Sequence, residues 1–469
     1  MTERKITMTI SVKDSEKTQP QAVTGEAPWP NSTYSWYVVS LLMLLYMFSF
    51  VDRTIMVLLI EPIKRDLQLS DTHIGLLYGA AFAVFYTLCG IPIARLADRR
   101  NRRNIIVIGV TVWSLMTCLC GLSRNFVQLF LARVGVGVGE AALSPAAYSM
   151  ISDYFPARQR AKAMSLYTMG LYLGAGMAVL AGGMVIGLVE AMPTVSLPIV
   201  GELYSWQVTF IVVGLPGLLL ALMMFTVREP LRRGIDTSQD QVSLRAALKF
   251  FRQRWRLLGF FCVGMAFHTM YSYSLSAWLP SFFIRTHDWD IVRVSQYYGT
   301  VLVIFGPGGI LAGGWFASYM AQRGDQLANA RMLVICFAAL LVPAAVMPLL
   351  ENAYGALAFV AMLKFAAGLP LGVAVAALHE VTPNRLRAQV AAIYLFTINI
   401  LGLGVGPVLI AVFTDFVFGD EAALRYSLAI VGPIMCVIGL ALSWYALGQF
   451  RRVKSEGSDS VNAAIAGGV

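Results

Sequence analysis

Twelve long apolar stretches divide this chain, at about 36–60, 73–97, 104–122, 126–151, 161–188, 206–226, 257–284, 295–320, 330–350, 354–380, 387–415 and 425–448. About 20 apolar residues suffice to cross the hydrocarbon core of a bilayer as a helix. Inside that core every backbone N–H and C=O must be satisfied within the protein, so such stretches become helices. Composition agrees: 58% of residues are hydrophobic, 13% are charged and the mean hydropathy is +0.68. Soluble domains carry roughly a quarter charged residues. The expected fold class is all-α integral membrane, with twelve transmembrane helices. Residues 1–35 are polar, contain Pro20, Pro28 and Pro30, and are expected to form a disordered cytoplasmic tail. The first apolar run is too long for a cleavable signal.

Basic residues set the orientation, because loops on the cytoplasmic side hold the excess of Lys and Arg. If the N-terminus is inside, the even-numbered loops, their helix ends and the C-terminal tail hold 23 of the 36 basic residues. The odd-numbered loops hold six: Lys64, Arg65, Arg124, Arg285, Arg293 and Arg425. Both termini are therefore expected in the cytoplasm, in an inner (plasma) membrane. The net charge of +10 then reflects topology and anionic-lipid contact, with no nucleic acid implied. Six cysteines (Cys89, Cys118, Cys120, Cys262, Cys336, Cys436) all fall within spans, which suits small buried packers. The histidines are scattered, so no metal and no cofactor is expected.

Charge also divides the chain. The longest charged interruption, 228–256, separates six spans from six. Expected units are a tail (1–35), an N-terminal six-helix bundle (36–227), a cytoplasmic linker (228–256), a C-terminal six-helix bundle (257–450) and a second tail (451–469). Within the linker, Leu244, Leu248 and Phe251 share one face of a basic amphipathic helix, suited to the inner membrane surface. The halves repeat each other. Pro156-Ala-Arg-Gln-Arg-Ala161 follows span four and Pro383-Asn-Arg-Leu-Arg-Ala388 follows span ten. Two repeats with a site between them is the plan of many secondary transporters.

The segment Ala94-Arg-Leu-Ala-Asp98-Arg99-Arg-Asn101-Arg102-Arg103 resembles the G-x-x-x-D-R-x-G-R-R loop of the major facilitator superfamily, with Ala94 and Asn101 in place of its glycines. In the second copy Gly314 is retained and Ser318 stands where the Asp falls. Three places resemble the Spinster family: Phe50-Val-Asp52-Arg53, Asp98-Arg-Arg-Asn101-Arg-Arg, and Arg133-Val-Gly-Val-Gly-Val-Gly139-Glu140-Ala141. The resemblance implies a transporter, not an enzyme. It also implies proton-linked movement of lysophospholipids or sphingoid phosphates by alternating access, with Asp98 latching the cytoplasmic side against a helix N-terminus of the other half. Arg99, Arg102, Arg103 and Asp153 lie at the same mouth and are assigned to that gate. In span five, Ala175 stands where a strict antiporter signature has Pro, which leaves antiport open.

Ionisable residues inside apolar spans are costly and mark substrate or ion pathways. At 1.5 Å per residue, Asp52 and Arg133 sit at similar depth, on the order of 10–12 Å below the outer surface. A pair between them is expected, released by protonation of Asp52. Glu140, seven residues beyond Arg133, shares its face of span four and is a second proton site; the structural alternative is an Arg133–Glu140 pair that neutralises itself. Asp52, Arg133 and Glu140 are thus the proton-coupling candidates. Arg53 lies about 100° around the helix from Asp52; it binds a head group, braces a neighbouring helix or snorkels outward. Lys364 deep in span ten, with Arg53, Arg133, His268 and Tyr271, completes the expected substrate site. His379 and Glu380 are assigned to gating. The expected partners are protons, membrane lipids and an amphipathic anion, handled by a monomer. Alternatives on the same frame are a multidrug/H⁺ antiporter or an organic-acid symporter. A membrane-embedded lipid enzyme is a distant one, since no G-x-S-x-G or H-E-x-x-H motif is present.

Overall fold

The computed structural model describes residues 29–190, 195–197, 201–232, 244–383 and 386–466. Residues 1–28 of the tail expected over 1–35, the middle of the linker and the last three residues lie outside these. The N-terminal half comprises α1 (Ser32–Leu58), α2 (Ile60–Leu67), α3 (Asp71–Gly75), α4 (Ala81–Arg99), α5 (Arg102–Cys120), α6 (Phe126–Glu140), α7 (Leu143–Tyr154), α8 (Ala157–Glu190) and α9 (Ser205–Met223). A small hairpin, β1 (Val195–Leu197) with β2 (Gly201–Leu203), pairs Val195 with Leu203 between α8 and α9. After α10 (Leu244–Gln253) come α11 (Trp255–His287), α12 (Ile291–Gln322), α13 (Ala328–Val346), α14 (Ala353–Gly368), α15 (Ala374–Glu380), α16 (Arg387–Thr397), α17 (Gly406–Val412) and α18 (Leu424–Ala466).

Among the described residues ten helical runs are long and apolar enough to cross a membrane, and α14 is a shorter apolar helix continued by α15. The 33-residue α11 runs beside α18. Side chains start these helices. Asn31, Asn101, Asn125, Asp290 and Asn352 each accept from a backbone N–H of the following turn, satisfying donors that a helix start leaves orphaned. Asn101 thus caps α5 at a position where the superfamily loop carries glycine. The first helix begins at Ser32, inside the stretch expected to be tail.

Spans four and ten are broken, where continuous helices were expected. A proline stands at each break: Pro145 just after the first and Pro370 within the second. Neither can donate to the carbonyl four residues back, so the ladder lapses there. Span two contains a π-helical turn at Leu76–Ala80, and span eleven contains two, Ile398–Val405 and Phe413–Phe418. Such turns concentrate at functional sites.

Both described chain ends lie on one face, here the terminal face; the turns after α1, α6's start and α11's end lie on the opposite face. Across the halves, α8 packs on α12, and span two packs on span eleven. In hydrocarbon, helices associate through close packing at small residues. Gly79 of the first π turn shows this best: a Cβ there would stand 2.8 Å from the Leu403 carbonyl oxygen in the second. On the α8–α12 seam, a Cβ at Gly183 would stand 2.1 Å from Ser295 Oγ. These contacts bring the halves together on the opposite-face side of the midplane.

Candidate functional site

A cavity of about 120 Å³ lies between the halves. The N-terminal half lines it with Phe50, Arg53 and Thr54 of α1, Phe82 of α4 and Arg133 of α6. The C-terminal half adds Tyr273 and Ser276 of α11, Tyr298 and Leu302 of α12, and Leu403. Ligand sites commonly enclose about 300–1,000 Å³, so this cavity is smaller than a usual binding chamber.

Its charged wall is built by two helices. Arg53 Nε donates to Glu140 Oε2 at 2.6 Å, and Ser49 Oγ donates to the same oxygen at 2.8 Å. Ser49 and Arg53 are four residues apart and so share one face of α1. The Arg53 guanidinium lies 4.4 Å from the Phe82 ring centre and 4.8 Å from those of Phe50 and Tyr86. Cation–π contacts of this kind contribute about 2 kcal/mol or more when desolvated. Arg53 ties α1 to α6 and at the same time lines the cavity.

Asp52 takes a different direction. Its Oδ2 accepts from Thr117 Oγ1 of α5 at 3.0 Å, and its Oδ1 has no hydrogen-bond partner. Arg133 reaches α1 as expected, but Nη1 donates to the Asp52 backbone carbonyl at 3.3 Å and Nε is unpartnered. The expected Asp52–Arg133 side-chain pair is therefore corrected: the depth is shared, the carboxylate is turned toward α5, and the ion pair on this wall joins Arg53 to Glu140. The self-neutralising Arg133–Glu140 pair is absent from the ion pairs of the described residues. One residue along α1 is about 100°, which is enough to exchange the partners.

On the other wall, Lys364 Nζ of α14 donates to Ser276 Oγ at 2.7 Å and stands 5.6 Å from the Tyr298 ring centre. His268 and Tyr271 do not line the cavity. His268 Nε2 meets the Ala367 carbonyl oxygen at 2.8 Å, and its ring stands edge-on to Phe337 of α13. Tyr271 is buried against Gly432 of α18. Both are turned into the C-terminal bundle. Among the aromatic and hydroxyl groups that do reach the cavity, Tyr78, Phe82, Tyr273, Ser276 and Tyr298 are not singled out by the sequence. The run Tyr-Ser-Tyr-Ser from Tyr271 puts a polar group on successive faces, so only the rotation of α11 selects one. For Phe82, its i,i+4 spacing to Tyr86 was the available signal.

On the terminal face, Arg102 and Asp153 meet at 2.5 Å, and Arg102 also binds Glu229 at 2.7 Å and Ser149 at 2.8 Å. Arg103 NH groups contact Asn104 and the Val227 carbonyl. Asp98 contributes its backbone carbonyl to Arg232, where its carboxylate was expected on a helix of the other half; Arg99 is exposed. Arg102 and Asp153 therefore brace the N-terminal half internally. His379 offers its carbonyl to Arg387, and Glu380 binds Lys454 at 2.5 Å and Asn329 at 2.5 Å, all inside the C-terminal half.

Among the described residues, the ion pairs that cross between halves lie on the opposite face. Arg285 Nη1 binds Asp71 Oδ2 at 2.7 Å and Nη2 binds Glu61 Oε1 at 2.9 Å. Lys64 bonds Asp71 and reaches Glu421 at 2.8 Å. Asp415 accepts from the backbone N–H of Thr72 at 2.6 Å, at the start of α3, where a carboxylate meets the positive helix end. Among the described residues, ion pairs tie the two halves on the opposite face and none does so on the terminal face.

This geometry has relatives. A crystal structure of a bacterial homologue of the human lysosomal transporter Spinster, in an inward-facing and occupied conformation, superposes with a TM-score of 0.73 and is 27% identical. That match covers 93% of this chain and 98% of that one. An MFS-type efflux pump of Mycolicibacterium smegmatis is 29% identical over 92% of this chain and 98% of its own. A probable L-galactonate transporter of Escherichia coli is 24% identical over 84% of this chain and 85% of its own. The family model described as Major Facilitator Superfamily matches residues 42–407. The chain belongs to the Major Facilitator Superfamily, and it is a multi-pass membrane transporter that resembles Spinster.

Proposed function

We propose that this transporter couples protons to the movement of an amphipathic anion of the lysophospholipid or sphingoid-phosphate type, by alternating access. The carrying observation is the Arg53–Glu140 pair at 2.6 Å, whose Arg53 lines the cavity, next to Asp52 with one oxygen unpartnered. A proton on Glu140 removes the countercharge of Arg53. Breaking one side of a buried ion pair costs about 3–5 kcal/mol. Taking a two-state equilibrium from 1:99 to 99:1 needs about 5.5 kcal/mol, so one proton supplies most of a conformational switch. Arg133 and the Thr117–Asp52 bond are the groups that rearrange with it. Phe50, Phe82 and Tyr273 offer the apolar walls for a tail. In this reading the terminal face, with its basic loops, is cytoplasmic, the membrane is the plasma membrane, and the protein works as a monomer among lipids.

Proteoliposomes test it. An imposed pH gradient should drive uptake of oleoyl lysophosphatidate by the wild-type protein. Both Asp52→Asn and Glu140→Gln should bind the lipid and lose the response to the gradient. Wild-type uptake that ignores the gradient ends the coupled reading. A second reading, an organic-acid symporter, is favoured by the resemblance to the L-galactonate transporter along most of both chains. Competition by D-glucuronate, with indifference to the lysolipid, selects it.

A further inference from the structure

The four charges of the N-terminal wall, Asp52, Arg53, Arg133 and Glu140, cancel when both acids are ionised. Lys364 stands outside that balance. Other cations away from solvent meet carboxylates: Lys64 meets Asp71, Arg102 meets Asp153, and the partly buried Arg285 meets Asp71 and Glu61; Arg133 donates to the Asp52 carbonyl but stands in the same wall as two acids. Lys364 is equally buried, yet its polar partner is the Ser276 hydroxyl at 2.7 Å, and no carboxylate among the described residues pairs with it. A hydroxyl orients an ammonium without neutralising it, and an uncompensated buried charge is costly. Ser276 and the neighbouring Tyr298 both line the cavity. The ammonium is therefore one hydrogen bond behind the wall, on the side facing Arg53 and Arg133.

We propose that Lys364 is the anchor for the anionic group of the substrate, a carboxylate or a phosphate, and that Ser276 holds it until the anion binds. The N-terminal half then handles protons while the C-terminal half handles the substrate's charge. Lysine is well suited to such an anchor, because its flexible stem and three donors let it turn from a hydroxyl to an incoming oxyanion. This rests on the proposed function only in taking the cargo to be an anion; proton coupling is not needed for it. The competing account is that Lys364 merely braces α14 against α11 through Ser276.

Equilibrium binding to the full-length protein in lipid nanodiscs separates the two. The probes are two matched pairs, oleoyl lysophosphatidate with monooleoylglycerol, and D-glucuronate with D-glucose. The pair whose anion binds identifies the source of the charge, lipid head group or small acid. Lys364→Met should weaken that anion at least about tenfold, or ~1.4 kcal/mol, and shift the neutral partner less than about twofold. Lys364→Arg should restore most of the loss. Equal loss for both members of the pair, or no loss for either, overturns the proposal. So does wild-type protein that binds neither anion better than its neutral partner. If Lys364→Met does not fold, Ser276→Ala decides. Freeing the ammonium should raise the anion-to-neutral affinity ratio, and an unchanged ratio overturns the proposal. Failure of gradient-driven uptake with the Lys364 selectivity intact ends proton coupling alone.

Discussion

Arg53 and Glu140, on different helices, meet at 2.6 Å inside a ring of Phe50, Phe82 and Tyr86. The carboxylate is completely buried and the guanidinium partly so. Neither partner is stable alone in such a place, so the contact holds α1 to α6 only while both are charged.

Glu140→Ala is expected to destabilise the protein by about 3–5 kcal/mol, the usual cost of leaving one member of a buried pair unpartnered. Arg53→Ala in addition should return part of that loss, because the second change removes the stranded charge. Chemical or thermal denaturation of the two single variants and the double variant measures it. Strictly additive losses mean that the pair carries no coupling.

Asp52→Asn should behave differently. The amide oxygen can still accept from Thr117, so stability should change by less than about 1 kcal/mol, within the span of a single neutral hydrogen bond. Response to a pH gradient in liposomes should disappear. Undiminished coupling in this variant removes Asp52 from the mechanism.

Arg285→Ala should unlock the opposite face. Arg285 ties Asp71 and Glu61 to the C-terminal half at 2.7 Å and 2.9 Å, and the other cross-half polar contacts there join Lys64 to Glu421 and Asp415 to the backbone N–H groups of Asp71 and Thr72. Spin labels at Arg65 and Asp420, both exposed, should report longer distances in the variant. A distance distribution identical to wild type means that the network does not set the closed state.

Gly79→Ala should move the same distances the same way. The new Cβ would lie 2.8 Å from the Leu403 carbonyl oxygen, a backbone atom that cannot rotate aside, so the two π turns must part. Gly90→Ala is the control: a Cβ there meets nothing within 4 Å, and replacing a helical glycine should gain up to about 1 kcal/mol of helix propensity. Equal label distances for both variants would mean that the contact at Gly79 is slack.

Apolar run length and spacing determined an all-helical membrane fold and the depth at which Asp52 and Arg133 stand, because hydrocarbon forces the backbone to satisfy itself within each span. Depth was legible: Arg133 does reach the level of Asp52 and touches its carbonyl. Azimuth was not. Which neighbour a side chain meets depends on how each helix is rotated, and rotation is fixed by close contacts such as Gly79 on Leu403, made between residues remote in sequence. Hence Arg53 took the acid expected to stand near Arg133, Asp52 turned to Thr117, and Tyr273 and Ser276 reached the cavity where His268 and Tyr271 were expected. The closed opposite face was equally a tertiary matter, since its lock joins Arg285 to Glu61 and Asp71 over more than two hundred residues. Sequence placed the charges at their heights, and packing chose their partners.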